Sequence, residues 1–257
     1  MFVRFVLALA WLACMLEAQA GVIINTTRVI FSEADGEAAV QLRNKGKGPV
    51  LAQLWIDDGD AKAKPSELDV PFALTPAVAR IDPGRGQAVR FLKTRDELPK
   101  DRESLFWFNL LEIPPKPTKQ LAQGDNVLQF SLRTRIKMFY RPSGLIGSAN
   151  QAHEQLRFVL TPAQPDGART LQVFNPTPYH ITFRSLDVRP AVDAPVWAQL
   201  SKADSRMVAP MSELRLPLKL ESATSPAPQS AQVFYGVIND YGGETRAQQE
   251  LEGVHGR

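Results

Sequence analysis

The sequence predicts an all-β protein with two β-sandwich domains behind a short N-terminal leader. Three observations carry this. After residue 20 no stretch sustains a helical apolar period, whereas short alternating runs recur between Gly, Pro and Asp punctuation, the pattern of half-buried strands joined by turns. Residues 21–257 are enough chain for two domains of ordinary size. Each half also holds the number of short strands that a sandwich needs.

The leader comes first. Met1-Phe2-Val3-Arg4 is followed by the apolar run Phe5 to Leu16 and then by Ala18-Gln19-Ala20, the small-x-small pattern of a secretory signal peptide cleaved after Ala20. An apolar run of about 12 residues falls short of the roughly 20 that a membrane span needs. The only cysteine, Cys14, lies inside the leader, so the mature chain has no thiol. A lipid anchor on Cys14 is the alternative; Trp11, where a lipobox has Leu, and the good cleavage site at Ala20 oppose it.

Candidate strands of the first half are Val22–Phe31, Ala38–Asn44, Val50–Asp57, Phe72–Thr75, Val78–Ile81, Gln87–Lys93, Ser104–Ile113 and Val127–Tyr140. Their turns include Asp35-Gly36, Asn44-Lys45-Gly46 and Asp82-Pro83-Gly84. The segment Pro114 to Asp125 has no period and little apolar content, and reads as a mobile loop. Arg141-Pro142-Ser143-Gly144 reads as the interdomain hinge, because Pro cannot extend a ladder and Gly permits a sharp turn. This divides the chain into a signal peptide (1–20), a first domain (21–142) and a second domain (143–257). Candidate strands of the second half are Leu156–Leu160, Thr170–Phe174, Ile181–Val188, Met207–Val208, Glu213–Leu220 and Gln232–Asn239, with Ser222–Ser230 as a surface turn.

Composition excludes several functions. The formal net charge is +3, from 30 basic and 27 acidic residues, too balanced for a nucleic-acid or polyanion binder. His153, His180 and His255 are scattered, and neither Gly-x-Ser-x-Gly nor a metal-spaced cluster occurs. This argues against an enzyme and against a bound metal or other cofactor.

One segment stands out. Asn126 to Arg135 alternates cleanly, with Leu128, Phe130 and Leu132 on one face and Gln129, Ser131, Arg133 and Arg135 on the other. Such a stripe ordinarily fills its own domain's core. Here it directly follows the predicted loop and runs into the cations Arg133, Arg135, Lys137 and Arg141. An exposed apolar edge is an aggregation hazard unless it exists to pair with another chain. The residues alone leave both readings open.

The run Arg135-Ile136-Lys137-Met138-Phe139-Tyr140-Arg141-Pro142 resembles the signature that ends the seventh strand of PapD-like periplasmic pilus-assembly chaperones. Asp101 to Leu110, followed by Glu112-Ile113-Pro114-Pro115, is similar to the preceding strand of that family. Further matches are Thr27-Arg28-Val29-Ile30-Phe31, Ile81-Asp82-Pro83-Gly84, Asn175-Pro176-Thr177-Pro178-Tyr179 and Ile238-Asn239-Asp240-Tyr241-Gly242-Gly243. They span nearly the whole mature chain in the expected order. The loop is longer than in short-loop members yet lacks the cysteine pair of the long-loop branch, which favours the short-loop group.

The resemblance implies two immunoglobulin-like domains set as a boomerang around a cleft, in a periplasmic protein. It implies that Leu128, Phe130 and Leu132 are lent to a pilus subunit lacking its last strand, and that Val127 and Ile136 serve the chaperone's own core. It implies that Arg28 and Lys137 anchor the subunit's C-terminal carboxylate, and that Glu103, Arg141 and Asp240 form an ion network between the domains. The implied partners are pilus subunits and an outer-membrane usher, with no nucleic acid and no stable membrane insertion; a self-capping homodimer of the free chaperone stays open. The rival is a secreted two-domain sandwich that binds carbohydrate as an adhesin. That class has no reason to place the stripe and the Arg28/Lys137 pair at a hinge.

Overall fold

The computed structural model describes residues 21–118, 122–124, 126–161, 169–201, 206–222, 228 and 230–252. The expected signal peptide, parts of the loop before Asn126 and most of Ser222–Ser230 lie outside the described residues.

The first domain is built from β1 (Val22–Ile24), β2 (Arg28–Ser32), β3 (Glu37–Asn44), β4 (Val50–Asp57), β5 (Phe72–Thr75), β6 (Val78–Ile81), β7 (Gly86–Lys93), β8 (Ser104–Ile113) and β9 (Leu132–Arg141). A four-stranded sheet in the order β1-β3-β7-β5 faces a five-stranded sheet in the order β2-β9-β8-β4-β6. The alternation read from the sequence sends Val40, Leu42, Val89 and Phe91 inward from one sheet and Leu54, Ile56, Phe108, Leu110 and Met138 from the other. Phe31 packs edge-on against Phe72 at 5.3 Å, and Phe91 against Phe108 at 5.1 Å.

Two predicted strands change. Val22–Phe31 is not one strand: β1 pairs antiparallel with β3, then the chain crosses at residues 25–27 and β2 pairs parallel with β9 in the other sheet. The expected strand Val127–Tyr140 begins only at Leu132, where it pairs with Glu112. In continued register Ser131 would face Ile113, and beyond it Phe130 and Gln129 would face Pro114 and Pro115, which have no N–H to donate.

The second domain holds β10 (Arg157–Leu160), β11 (Arg169–Asn175), β12 (Ile181–Arg189), β13 (Ala198–Leu200), β14 (Met207–Val208), β15 (Ser212–Leu220), β16 (Gln232–Ile238) and β17 (Glu244–Glu250). Its sheet runs β10-β11-β15-β13-β12-β16-β17, with β14 against β12. Strand β13 pairs with both β15 and β12, and so joins the two layers of the sandwich. Phe158, Leu171, Val173, Phe183, Val188, Leu216, Val233 and Tyr235 form the core. β13 and β17 were not expected from the sequence. β17 carries Ala247 as its one core-packing side chain among Glu, Gln, Thr and Arg, so it has no apolar alternation to read.

Candidate functional site

Strands β2 and β9 run parallel at the domain junction, with Arg28 opposite Lys137. Arg28 is only 7% exposed, and its Nη1 donates to the Ile238 carbonyl of the second domain at 2.9 Å. Its buried Nε has no hydrogen-bond partner. Lys137 Nζ donates to Thr182 Oγ1 at 3.3 Å. Among the described residues no carboxylate forms an ion pair with either. Burial lowers the Arg28 pKa against the raising influence of Asp240 and Glu103. Burial first, and Arg28 second, bring Lys137 down to about 8. Two adjoining, partly desolvated cations with spare donors suit an incoming anion of carboxylate size, which would make charge-assisted hydrogen bonds to both.

The apolar stripe leads directly to this pair. Leu128, Phe130 and Leu132 are 77%, 75% and 60% exposed, so they do not fill the domain's own core. Ile136 does pack against that core, as expected. Val127, also expected there, is 38% exposed instead, because the chain has left the sheet before reaching it. The side-chain amide of Gln129 donates to the carbonyls of Pro114 and Pro115 at 2.9 and 3.0 Å. These bonds tether residues 126–131 beside the end of β8 without any backbone ladder.

The four cations of this region separate into three groups. Arg133 donates to Asn109 Oδ1 at 2.7 and 3.0 Å and lies over the Trp55 ring at 4.9 Å. Arg135 clamps the fully buried Asp57 and lies over Trp107 at 4.0 Å. Both guanidinium groups are thus satisfied within the domain. Arg141 reaches Glu103 Oε1 at 2.8 Å and makes paired bonds to Asp240 of 2.8 and 3.1 Å. Lys137 alone of the four keeps its ammonium free of a carboxylate among the described residues.

The expected trio Glu103, Arg141 and Asp240 therefore meets between the domains. Sequence reasoning missed a fourth member, His180. Its backbone N–H donates to Glu103 Oε2 at 2.8 Å, its Nδ1 lies 3.3 Å from the same oxygen, and its ring packs on Phe139 at 5.4 Å. Its neighbour two positions along the motif Asn175-Pro176-Thr177-Pro178-Tyr179 could have pointed to it, since the Glu103 N–H donates to the Pro178 carbonyl at 2.9 Å. In that motif the buried Asn175 amide bonds the carbonyls of Tyr179 and Ala209, and its Oδ1 accepts from Thr177. The turn before β12 is thereby fixed beneath the network. On the other side, Asn239 Oδ1 caps the Asp240-Tyr241-Gly242-Gly243 turn. Gly242, at φ 81°, comes so close that a Cβ there would lie 2.3 Å from Thr27 Oγ1.

No helix among the described residues is long and apolar enough to cross a membrane. Residues 21–146 match "Pili and flagellar-assembly chaperone, PapD N-terminal domain", and residues 151–249 match "Pili assembly chaperone PapD, C-terminal domain". The chain is 40% identical to "Probable fimbrial chaperone YadV" of Escherichia coli (strain K12), over 92% of this chain and 93% of that protein. It is 43% identical to "Chaperone protein FimB/FhaD" of Bordetella pertussis, over 89% of this chain and 87% of that one. The crystal structure of the YadV chaperone superposes with a TM-score of 0.71 at 37% identity, covering 90% of this chain and 100% of that one. Sequence, fold and junction agree, and the chain belongs to the PapD-like pili-assembly chaperones, a periplasmic and non-enzymatic family.

Proposed function

We propose that this chaperone completes pilus subunits by donor-strand complementation and delivers them to an outer-membrane usher, after export and cleavage behind Ala20. The segment carrying Leu128, Phe130 and Leu132 lies in the subunit's open groove, and Arg28 and Lys137 hold the subunit's terminal carboxylate. Anchoring the chain end fixes the register of the paired strands, since a one-residue slip would turn every side chain to the wrong face. Glu103, Arg141 and Asp240, with His180, set the angle between domains that divide after Pro142, and so keep the anchor at a fixed distance from the stripe.

The observation that supports this most is the juxtaposition itself. Three large apolar side chains stand 60–77% exposed, Leu128 and Phe130 on an unladdered segment and Leu132 at the first position of β9, which runs in line into Lys137. A lone surface stripe would be a liability, and a lone, partly buried cation pair would be an uncompensated expense of desolvation. Together they fit a partner that brings both a groove and an anion. The test is co-expression with candidate subunits from the same host, with purification by a tag on the chaperone. Arg28→Ala and Lys137→Ala should each sharply reduce subunit recovery while the chaperone stays folded. Unchanged recovery would refute the anchoring role.

A further inference from the structure

Glu112, next to last in β8, turns its carboxylate inward and is 7% exposed. Its Oε2 accepts the Val22 N–H at 2.8 Å, while its buried Oε1 has no hydrogen-bond partner. Among the described residues it forms no ion pair. A buried carboxylate left half-satisfied is unfavourable unless something else approaches it. Gly21 is a close neighbour of this carboxylate. A Cβ built on Gly21 would lie 2.1 Å from Oε2 and 3.5 Å from Oε1 of Glu112. The backbone of residue 21 therefore lies close against the carboxylate, and any larger residue there would require the Glu112 side chain to shift. Its carbonyl is held in turn by the Lys45 N–H at 3.0 Å.

We infer that Glu112 is a receptor for the α-ammonium of the mature N-terminus at Gly21. The inference rests on cleavage after Ala20 and is independent of how subunits are bound. Hydrolysis of the Ala20–Gly21 bond consumes one water; Ala20 leaves with the new carboxyl, and Gly21 keeps an amine that protonates to an ammonium with three donors. In the uncut chain the same nitrogen is a neutral amide with one donor. Processing thus supplies the charge that Glu112 lacks. The place also matters: β1 belongs to the four-stranded sheet and β8 to the five-stranded one, and Glu112 pairs with Leu132 at the last rung before residues 126–131 leave the sheet. The ion pair fastens the two layers together at the root of the exposed stripe.

Four proteins test this: the exported mature form, its N-terminus verified by intact mass, and a form with two extra residues ahead of Gly21, each with Glu112 or Glu112→Gln. The mature form with Glu112 should melt about 5 °C above its extended counterpart, and Glu112→Gln should erase that difference. A readout specific to the amine is its acylation by an N-hydroxysuccinimide ester at neutral pH. Labelling at Gly21 should be about tenfold slower in the mature protein than in its Glu112→Gln variant. Equal melting of mature and extended forms, a difference that survives Glu112→Gln, equal labelling, or a mature N-terminus elsewhere than Gly21 would each overturn the inference. The comparison of mature with extended wild-type protein decides the matter even where Glu112→Gln folds poorly.

Discussion

Truncating Phe130 to alanine should separate the strength of subunit binding from the stability of the chaperone. The side chain is 75% exposed in the free protein, as against 0% for the core residue Phe108. Three-quarters of the ~1.5–3 kcal/mol that full burial of a Phe side chain contributes is therefore still available to a partner, about 1–2 kcal/mol. At about 1.4 kcal/mol per factor of ten this is a loss of roughly 5- to 30-fold in affinity. The pocket vacated in the subunit adds to it, because the surroundings of a cavity relax only in part. The free protein should change by less than about 0.5 kcal/mol, as for other surface substitutions. Denaturant melts of Phe130→Ala, beside dissociation rates from a purified chaperone–subunit complex, measure both quantities. A loss of several kcal/mol in the free protein with an unchanged dissociation rate would refute the reasoning, and would return Phe130 to its own core.

Two further predictions use pH. Glu33 is held at about 2, against an ordinary 4.5, by hydrogen bonds from Lys93, Tyr140 and the Ser143 N–H at the hinge. Its folded-state pKa is depressed, so it stabilises the fold above about 4.5 and that contribution is lost as pH falls toward about 2. Glu33→Gln should flatten the acid limb of the melting profile, and parallel acid limbs would count against this. Lys137, lowered to about 8 from 10.5, sheds its proton earlier in the folded than in the unfolded chain. Stability should therefore climb between these two values, and Lys137→Met should lack the climb; identical profiles would exclude it. A fourth prediction concerns Pro114 and Pro115: replacing both with Thr restores two backbone donors opposite Phe130 and Gln129. Amides of residues 129–131 should gain about tenfold protection from hydrogen exchange, with lower subunit recovery. Unaltered protection would mean that something other than the prolines ends the ladder.

Much of the fold was legible because alternation is a local property. Strands such as Val50–Asp57, Phe72–Thr75, Val78–Ile81 and Ser104–Ile113 are bounded as their apolar period and turn residues require. The failures are where a local pattern says nothing about pairing. Val22 to Phe31 looks continuous, yet its two halves belong to different sheets. Glu244 to Glu250 shows almost no apolar residues, yet it pairs along its whole length with β16. His180, one of three scattered histidines in the sequence, became part of the junction only when the turn fixed by Asn175 carried it to Glu103.

By itself the sequence determined two sandwiches and the face shared by Leu128, Phe130 and Leu132, since side-chain alternation follows from strand geometry alone. The ordered motifs added the family. Whether that face was core or surface, only the tertiary structure decided. The answer depends on where the ladder between β8 and β9 stops, and on which of four neighbouring cations meet a carboxylate. Both are set by residues distant in the chain: Asp57 and Asn109 engage Arg135 and Arg133, and Glu103 and Asp240 engage Arg141. Lys137 remains beside Arg28, two charges that local sequence could bring into view but not leave unpaired.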